Sequence, residues 1–350
     1  MATRKEVARM AGVSEATVSR VLNGVGPIKE STRRRVLEAA EKLNYQLNAV
    51  AASFARGRSG NIGVVLPHVP KVHLFSTYYF AEILSGIGEA VQGGETGGGL
   101  LLLYRKPGEA YDYVSLFRSR RVDACLILGA SSLEPERQSI SRLADEGVPF
   151  CVVDQRFAED PRIPTIVADH VEGTYRAARL LLDLGYRRIG FLNGAPQYSN
   201  SRDRLAGYRK ALEEAGIGGE AVPVFEGNYS RKSGYEAAEA VHREMHRLDA
   251  MLCANDRMAI GLIQGLRERG CRIPRDLPVV GYDNSDAAAL FDPPLTTVEV
   301  PFFEMGKLAA ERLIKRLSGN AGEEETFQAV LPTRLVIRSS SPIREENESE

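Results

Sequence analysis

The 350-residue chain has no tryptophan and only four cysteines, Cys125, Cys151, Cys253 and Cys271, which form no CxxC pair and no Cys/His cluster. A structural metal and a disulfide framework are therefore not expected. No apolar run reaches about 18 residues, and no apolar segment follows Met1, so neither a membrane span nor a secretion signal is expected and the cytoplasm is the simplest compartment. The five histidines are scattered, and the sequence holds no GxSxG elbow and no Cys/His nucleophile pair. The glycine-rich stretch 93–99 has no phosphate-loop lysine and opens no helix as GxGxxG, so it reads as a connection only. The expectation is a protein that is not an enzyme and carries no cofactor.

What is present is ordinary in bulk and uneven in distribution. With 43% hydrophobic and 26% charged residues the chain is globular, and its length implies two or three domains. The net charge of −1 hides a division, because residues 1–58 hold 11 Lys/Arg against 5 Asp/Glu and the remainder is acidic. A basic head on an acidic body fits a nucleic-acid partner.

The head is punctuated as short helices. Thr3 and Glu6 have the spacing of a capping box, Val7, Ala8 and Ala11 supply an apolar side, and Gly12 can turn with positive φ. Ser14 then caps a second helix, on which Val18, Val21 and Leu22 share one face while Ala16, Ser19, Arg20 and Asn23 share the other. Two short helices joined by a glycine turn are a helix-turn-helix. Ser31 is positioned to cap a third helix, whose Val36, Ala39, Ala40 and Leu43 close a small core. Arg33, Arg34 and Arg35 at its start suit a phosphate backbone. In a major groove Arg20 can grip guanine bidentately, Glu15 can accept from cytosine N4, and Ala16 can touch a thymine methyl.

The segment from Thr3 to Gly57 resembles the headpiece of the lactose-repressor (LacI/GalR) family of bacterial transcription regulators, through VARMAGVSEATVSRVLNG and TRRRVLEAAEKLNYQLNAVAASFARGRS. The resemblance implies DNA contacts at Thr3, Ser14, Glu15, Ala16, Thr17, Ser19, Arg20, Asn23, Thr32, Tyr45, Asn48, Ala51 and Phe54. It also implies a hinge helix near Asn48 to Ala55 that inserts a side chain into the minor groove. Here that position is Phe54 where the family usually has Leu, and an aromatic wedge serves the same end. A contact of Phe54 with the body is the alternative. Leu47 stands where Pro is usual, which loosens the approach to the hinge.

From Asn61 onward, apolar runs alternate with amphipathic stretches: Ile62–Leu66, Leu100–Leu103, Cys125–Leu128, Phe150–Val153, Ile189–Leu192, Ala250–Cys253 and Pro278–Val280. Such runs predict parallel strands buried on both faces in a doubly wound α/β body. The body is too long for one simple sheet, and the break at 159–164 divides it into two subdomains around a cleft. The expected class is an all-α helix-turn-helix headpiece followed by an α/β body of two doubly wound subdomains, which the family resemblance, continuing more loosely through the body, implies is periplasmic-binding-protein-like. Its divisions are a head at 1–46, hinge and linker at 47–59, a body at 60–340, and a disordered tail at 341–350. Within the body the resemblance places 60–160 with 292–324 in the first subdomain and 161–291 with 325–340 in the second.

The looser resemblance of the body carries over as effector clamps at Arg204, Tyr229, Asn255 and Asp283, with Phe75, Asp154 and Tyr198 on the opposite wall. Charged and amide groups beside a flat ring suit a sugar or sugar derivative, and a purine or nucleoside would use similar groups. His68 and His73 read equally as ligand contacts or as loop. The expected partners are double-stranded DNA with a pseudo-palindromic operator, a small-molecule effector and a second copy of the chain. The acidic tail lacks a leucine heptad, so a homodimer is expected. An exported solute-binding protein would share the body and lack the head.

Overall fold

The computed structural model describes residues 2–22, 26–45, 58–69, 77–93, 99–218, 222–319 and 327–341. The head is built from α1 (Arg4–Ala11), α2 (Glu15–Leu22) and α3 (Glu30–Lys42). The capping box is present, with the Glu6 amide donating to Thr3 Oγ1 at 3.3 Å and the Thr3 amide to Glu6 Oε2 at 2.7 Å. Gly12 ends α1 at φ 64°, and the Thr17 amide donates to Ser14 Oγ at 3.1 Å to start α2. Ser31 does not cap α3: the helix opens at Glu30, two residues earlier than a Ser31 cap would place it, and its N-cap Lys29 makes no side-chain cap bond. Val7, Ala8, Ala11, Val18, Val21, Val36, Ala39 and Ala40 form the head's own core.

The body begins where the Ser59 and Gly60 amides donate to the Asp123 carboxylate at 2.9 and 2.7 Å. Its first half contains β1 (Ile62–Pro67), α4 (Tyr78–Gly93), β2 (Leu100–Arg105), α5 (Tyr113–Arg118), β3 (Ala124–Leu128), α6 (Glu134–Asp145), β4 (Phe150–Val153) and β5 (Thr165–Ala168). The second half contains α7 (His170–Asp183), β6 (Ile189–Asn193), α8 (Ser199–Glu214), β7 (Val224–Glu226), α9 (Arg231–Arg243), β8 (Ala250–Cys253), α10 (Asp256–Glu268), β9 (Val279–Val280) and α11 (Asp286–Leu290). The chain then runs through β10 (Thr297–Glu299), α12 (Phe302–Leu317), β11 (Gln328–Leu331) and β12 (Arg334–Val336).

One parallel sheet has the order β11-β5-β4-β3-β1-β2 and a second has β7-β6-β8-β9. Both place their first strand inside, the doubly wound pattern that opens a crevice at the carboxyl ends of the strands. Antiparallel β10 and β12 adjoin the second sheet through isolated pairings of Val280 with Thr296 and Asp283 with Glu299. The seven expected runs all become strands, but β2 is an edge strand that exposes Leu100, Leu102 and Tyr104, and so is not buried on both faces. The two glycines Gly86 and Gly306 let α4 and α12 touch backbone to backbone. A Cβ on Gly86 would stand 2.0 Å from the Phe303 carbonyl oxygen, and one on Gly306 2.1 Å from that of Ile83.

The division of the body differs from the sequence reading. β5 and β11 both belong to the first sheet, although the boundaries at 161 and 325 assign them to the second subdomain. Residues 297–299 lie against the second sheet, although the resemblance assigns 292–324 to the first, and only α12 packs there. The reason is that β5, though buried throughout, follows directly on the charged break at 159–164 and so falls on its far side, while β11 alternates exposed and half-buried positions at an edge and makes no apolar run. The chain consequently crosses between the halves near 168–170, 299–302 and 331–334. Ser341, placed in the disordered tail by sequence, is buried and hydrogen-bonds Thr296 Oγ1 at 2.9 Å. The rest of that tail, the Asn48–Ala55 hinge and the stretch 94–98 lie outside the described residues.

Candidate functional sites in the head and the cleft

In α2 the periodicity works as read. Val18 and Val21 are buried against α1 and α3, Leu22 flanks them, and Glu15, Ala16 and Arg20 are exposed on the far side. Ser14 and Thr17 are joined by a 2.9 Å hydroxyl contact, and Glu15 pairs with Arg4 at 3.4 Å. Ser19 is half-buried on the same helix, and Thr32 lies near the start of α3. Tyr45 packs against the head's core, while Thr3 is engaged in the cap. Arg33, Arg34 and Arg35 are exposed. Asn23, Asn48, Ala51 and Phe54 lie outside the described residues.

The cleft is built from strand ends and helix starts. Asp154 follows β4, Tyr198 precedes α8, Arg204 lies one turn into it, Tyr229 follows β7, Asn255 caps α10, and Asp283 follows β9. Arg204 donates to the Tyr229 hydroxyl at 3.1 Å, lies over the Tyr282 ring at 4.4 Å, and stands 3.9 Å from Asp283. The Tyr229 hydroxyl bonds Asn200 Oδ1 at 3.1 Å and contacts Ser201 Oγ, and its ring meets Tyr198 edge-on at 6.1 Å. Asn200 in turn donates to Asp154 Oδ2 at 2.9 Å, and Asp154 Oδ1 meets His170 Nε2 at 2.7 Å. Asn255 is committed to scaffolding, its Oδ1 accepting the Met258 amide at 2.9 Å and its Nδ2 reaching the Tyr229 carbonyl at 3.1 Å. Of the expected cleft residues only Phe75 lies outside the described residues, as does His73. His68 is exposed beside the Tyr104 ring, at the β2 edge.

Asp154, Tyr229, Asp283 and Asn284 all hold left-handed backbone, at φ 62°, 66°, 112° and 57°. Outside glycine such backbone is uncommon, Asp and Asn adopting it most readily, and these four residues gather on one crevice. Charge is tuned in the same place. Burial raises the Asp283 carboxyl well above its usual range, with Arg204 opposing and Asp256 and Asp154 adding to the rise. Burial likewise raises Asp256 to about 6, against the hydrogen bonds from Thr297 and Ser285. Burial works against the Asp154 carboxylate too, but His170, Arg204 and Asn200 outweigh it and hold the group below its usual value. Burial also opposes the Arg204 cation, which Tyr229, Tyr282 and the nearby carboxyls more than offset. Arg204 Nε is left buried with no hydrogen-bond partner.

Sequence reading misses His170, Asn200, Ser201 and Tyr282. His170 follows the capping Asp169 directly, and a strand-to-helix junction holding a lone His is the available signal. The fold also brings Cys271 Sγ within 3.5 Å of His242 Nδ1, a pair that sequence spacing does not reveal. Burial raises that thiol's pKa, so it is held in the unreactive protonated form. Among the described residues no group of three or more His, Cys, Asp or Glu could hold a metal ion, and no helix is long and apolar enough to cross a membrane.

The sequence and structural relatives share this order of head and body. The profile of the bacterial regulatory proteins, lacI family, matches residues 3–48, and that of a periplasmic binding protein-like domain matches 178–341. The HTH-type transcriptional repressor PurR of Vibrio atlanticus is 34% identical over 347 residues, covering 97% of this chain and 98% of its own length. The PurR of Photobacterium profundum is 35% identical over 343 residues with the same coverage. Among solved structures, the lac repressor dimer bound to operator and the anti-inducer ONPF is similar at TM-score 0.80 and 29% identity, covering 97% of this chain and 99% of that one. The transcriptional regulator CelR–cellobiose complex is similar at TM-score 0.71 and 30% identity, covering 97% and 100%. A chain that carries this head and this body along its whole length belongs to the lacI family of bacterial regulatory proteins.

Proposed function

We propose that the chain is a cytoplasmic, homodimeric transcriptional repressor that reads DNA through α2 and is controlled by an uncharged small molecule, a sugar or sugar derivative, bound between the two halves of the body. The observation that carries the ligand reading is Arg204, a buried guanidinium whose Nε has no partner and whose carboxyl neighbour Asp283 stands at 3.9 Å. Such an orphaned donor in a polar crevice fits a missing hydroxyl or carbonyl. Asp283 with a raised pKa supplies a further donor, and Tyr198 and Tyr229 offer ring faces. The similarity to a regulator solved with cellobiose supports a sugar. The PurR relatives support a second reading, in which a purine lies against the same rings.

The test is a thermal-shift screen of the full chain against cellobiose, ribose, nucleosides and free purines. A true effector at ~100 times its dissociation constant stabilises by about 2.7 kcal/mol, a shift of a few degrees. A sugar hit supports the first reading and a purine hit the second. Failure of every compound overturns both.

For the head, Arg20→Ala is expected to weaken operator binding by about 1–3 kcal/mol and to relax preference at one base pair of each half-site. Binding selections comparing the two proteins check this. An unchanged sequence preference removes Arg20 from base reading and leaves it a phosphate contact.

A further inference from the structure

We propose that His170 is a positioning residue that latches the two halves of the cleft, joining Asp154 of the first sheet to Tyr282 of the second. The proposal rests on reading this crevice as the ligand site. His170 is the first residue of α7, at the crossing from β5 into the second half. Its Nε2 meets Asp154 Oδ1 at 2.7 Å, and its Nδ1 meets the Tyr282 hydroxyl at 3.2 Å. With Asp154 ionised, Nε2 is the donor to it, and in the neutral imidazole that burial favours, Nδ1 accepts the tyrosine proton.

The ligand cannot reach its clamps while this latch is closed. Asp154 is 1% exposed, Arg204 2%, and Asp283 7%, so the halves must part before anything enters. Other contacts cross the same seam: Asn200 Nδ2 to Asp154 Oδ2 at 2.9 Å and the Ser199 amide to Gln155 Oε1 at 2.8 Å, both buried, Ser132 Oγ to the Gln197 carbonyl at 2.9 Å, and an Arg156–Asp203 ion pair. His170 and Asp154 form the buried titratable pair within it. The charged and titratable groups that face it are Asp154 from β4, Arg204 and Asp203 from α8, and Tyr282 after β9, with Asp169 and Glu172 on its own stretch.

The consequence is a proton-sensitive closure. In the closed cleft burial, and then Arg204, lower the His170 pKa, with Asp154 opposing. Once the cleft opens and water arrives, the group returns toward its ordinary value of about 6.5. A group whose pKa is depressed in the closed state favours closure fully above its open-state pKa and progressively less below it. Through His170 the open-to-closed ratio rises by up to about tenfold per pH unit below roughly pH 6.5. Asp283 and Asp256, whose burial-raised pKa values fall again on opening, act with the opposite sign, so the His170 contribution is read as the difference between the wild type and a variant that lacks the imidazole.

The experiment uses the full-length protein without ligand, labelled with 13C-histidine so that its five histidines can be followed by NMR, alongside solution scattering from about pH 8 to about pH 5. In the wild type, His170 is expected to stay neutral through the ordinary histidine range and to titrate together with an increase in radius of gyration. His170→Gln keeps an amide donor for Asp154 and has no imidazole to titrate, so its size is expected to be unchanged at pH 8 and to lack the acid-side opening, keeping only the opposite response of Asp283 and Asp256, which favours closure at low pH. His170→Phe removes both bonds and is expected to be folded by circular dichroism and more open throughout. A His170 that titrates near pH 6.5 at constant size, or a Gln variant that follows the wild-type profile, overturns the latch. If the Gln variant does not fold, the wild-type titration decides alone. Because no ligand is added, an empty ligand screen sinks the proposed effector without touching this result, and the reverse holds too.

Discussion

Glu136→Ala is expected to destabilise the body by about 3–5 kcal/mol, because it strands a guanidinium in the interior. Arg105 at the end of β2 and Glu136 in α6 form a 2.7 Å ion pair, and both side chains are completely buried. Glu136 also accepts the Ser131 amide at 3.0 Å, the Ser131 hydroxyl at 2.8 Å and the Gly108 amide at 3.0 Å, so one carboxylate ties together the loops at the carboxyl end of the first sheet. Arg105 has the Gly129 carbonyl as a second anchor at 2.7 Å, yet its Nε already lacks a partner. Removing the carboxylate leaves the cation and those donors unsatisfied together. Urea unfolding of the two proteins measures the loss, which corresponds to a melting temperature lower by roughly 6–20 °C. Glu136→Gln retains an acceptor and is expected to cost less. A combined Arg105→Met, Glu136→Leu protein is expected to recover only the part of the loss that comes from the stranded guanidinium, since Ser131 and Gly108 still lose their acceptor. A cost below about 1 kcal/mol for the alanine variant would mean that water reaches the pair on the folded protein.

Arg204→Met is expected to weaken effector binding by about 2–5 kcal/mol, or roughly 30-fold to several thousand-fold, while the chain stays folded and binds operator when no effector is present. Methionine preserves length and apolar contact with the Tyr282 ring, so the loss isolates the guanidinium's hydrogen bonds. Asp283→Asn is the informative companion. If the carboxyl is protonated in the empty cleft, as its raised pKa implies, an amide of the same shape still donates and costs far less than the loss of Arg204. Calorimetric titration with the compound found in the screen measures both variants. Equal, large losses for the two would mean that Asp283 acts as an anion in the complex.

Much of the head is legible because its signals are local. A capping box needs only residues 3 and 6, a left-handed turn only Gly12, and the buried stripe of α2 only a periodicity of 3.6. Ser31 shows the limit of the same logic: a good capping residue is present, but the chain enters α3 two residues sooner. In the body, strands buried on both faces announce themselves as apolar runs, and β1, β3, β4, β6 and β8 are such strands. β7, β10, β11 and β12 give no such signal, being three or four residues long and lying at a sheet edge or in the two-stranded ribbon, whereas β5 is as long and as buried as β4 but sits beyond the charged break at 159–164.

What the sequence determined by itself, then, is everything set within a few turns of chain: the caps, the buried stripes, the charge division between head and body, and the family resemblance those residues carry. Only the tertiary structure decided which sheet receives β5 and β11, because that choice depends on pairing between residues far apart in the chain, such as Gln328 with Thr165. It also decided the cleft's internal wiring. Asp154, His170, Asn200, Arg204, Tyr229 and Tyr282 come from strand ends and helix starts spread along the body, and the pKa of each ionisable group among them depends on burial and on neighbours that no local pattern contains.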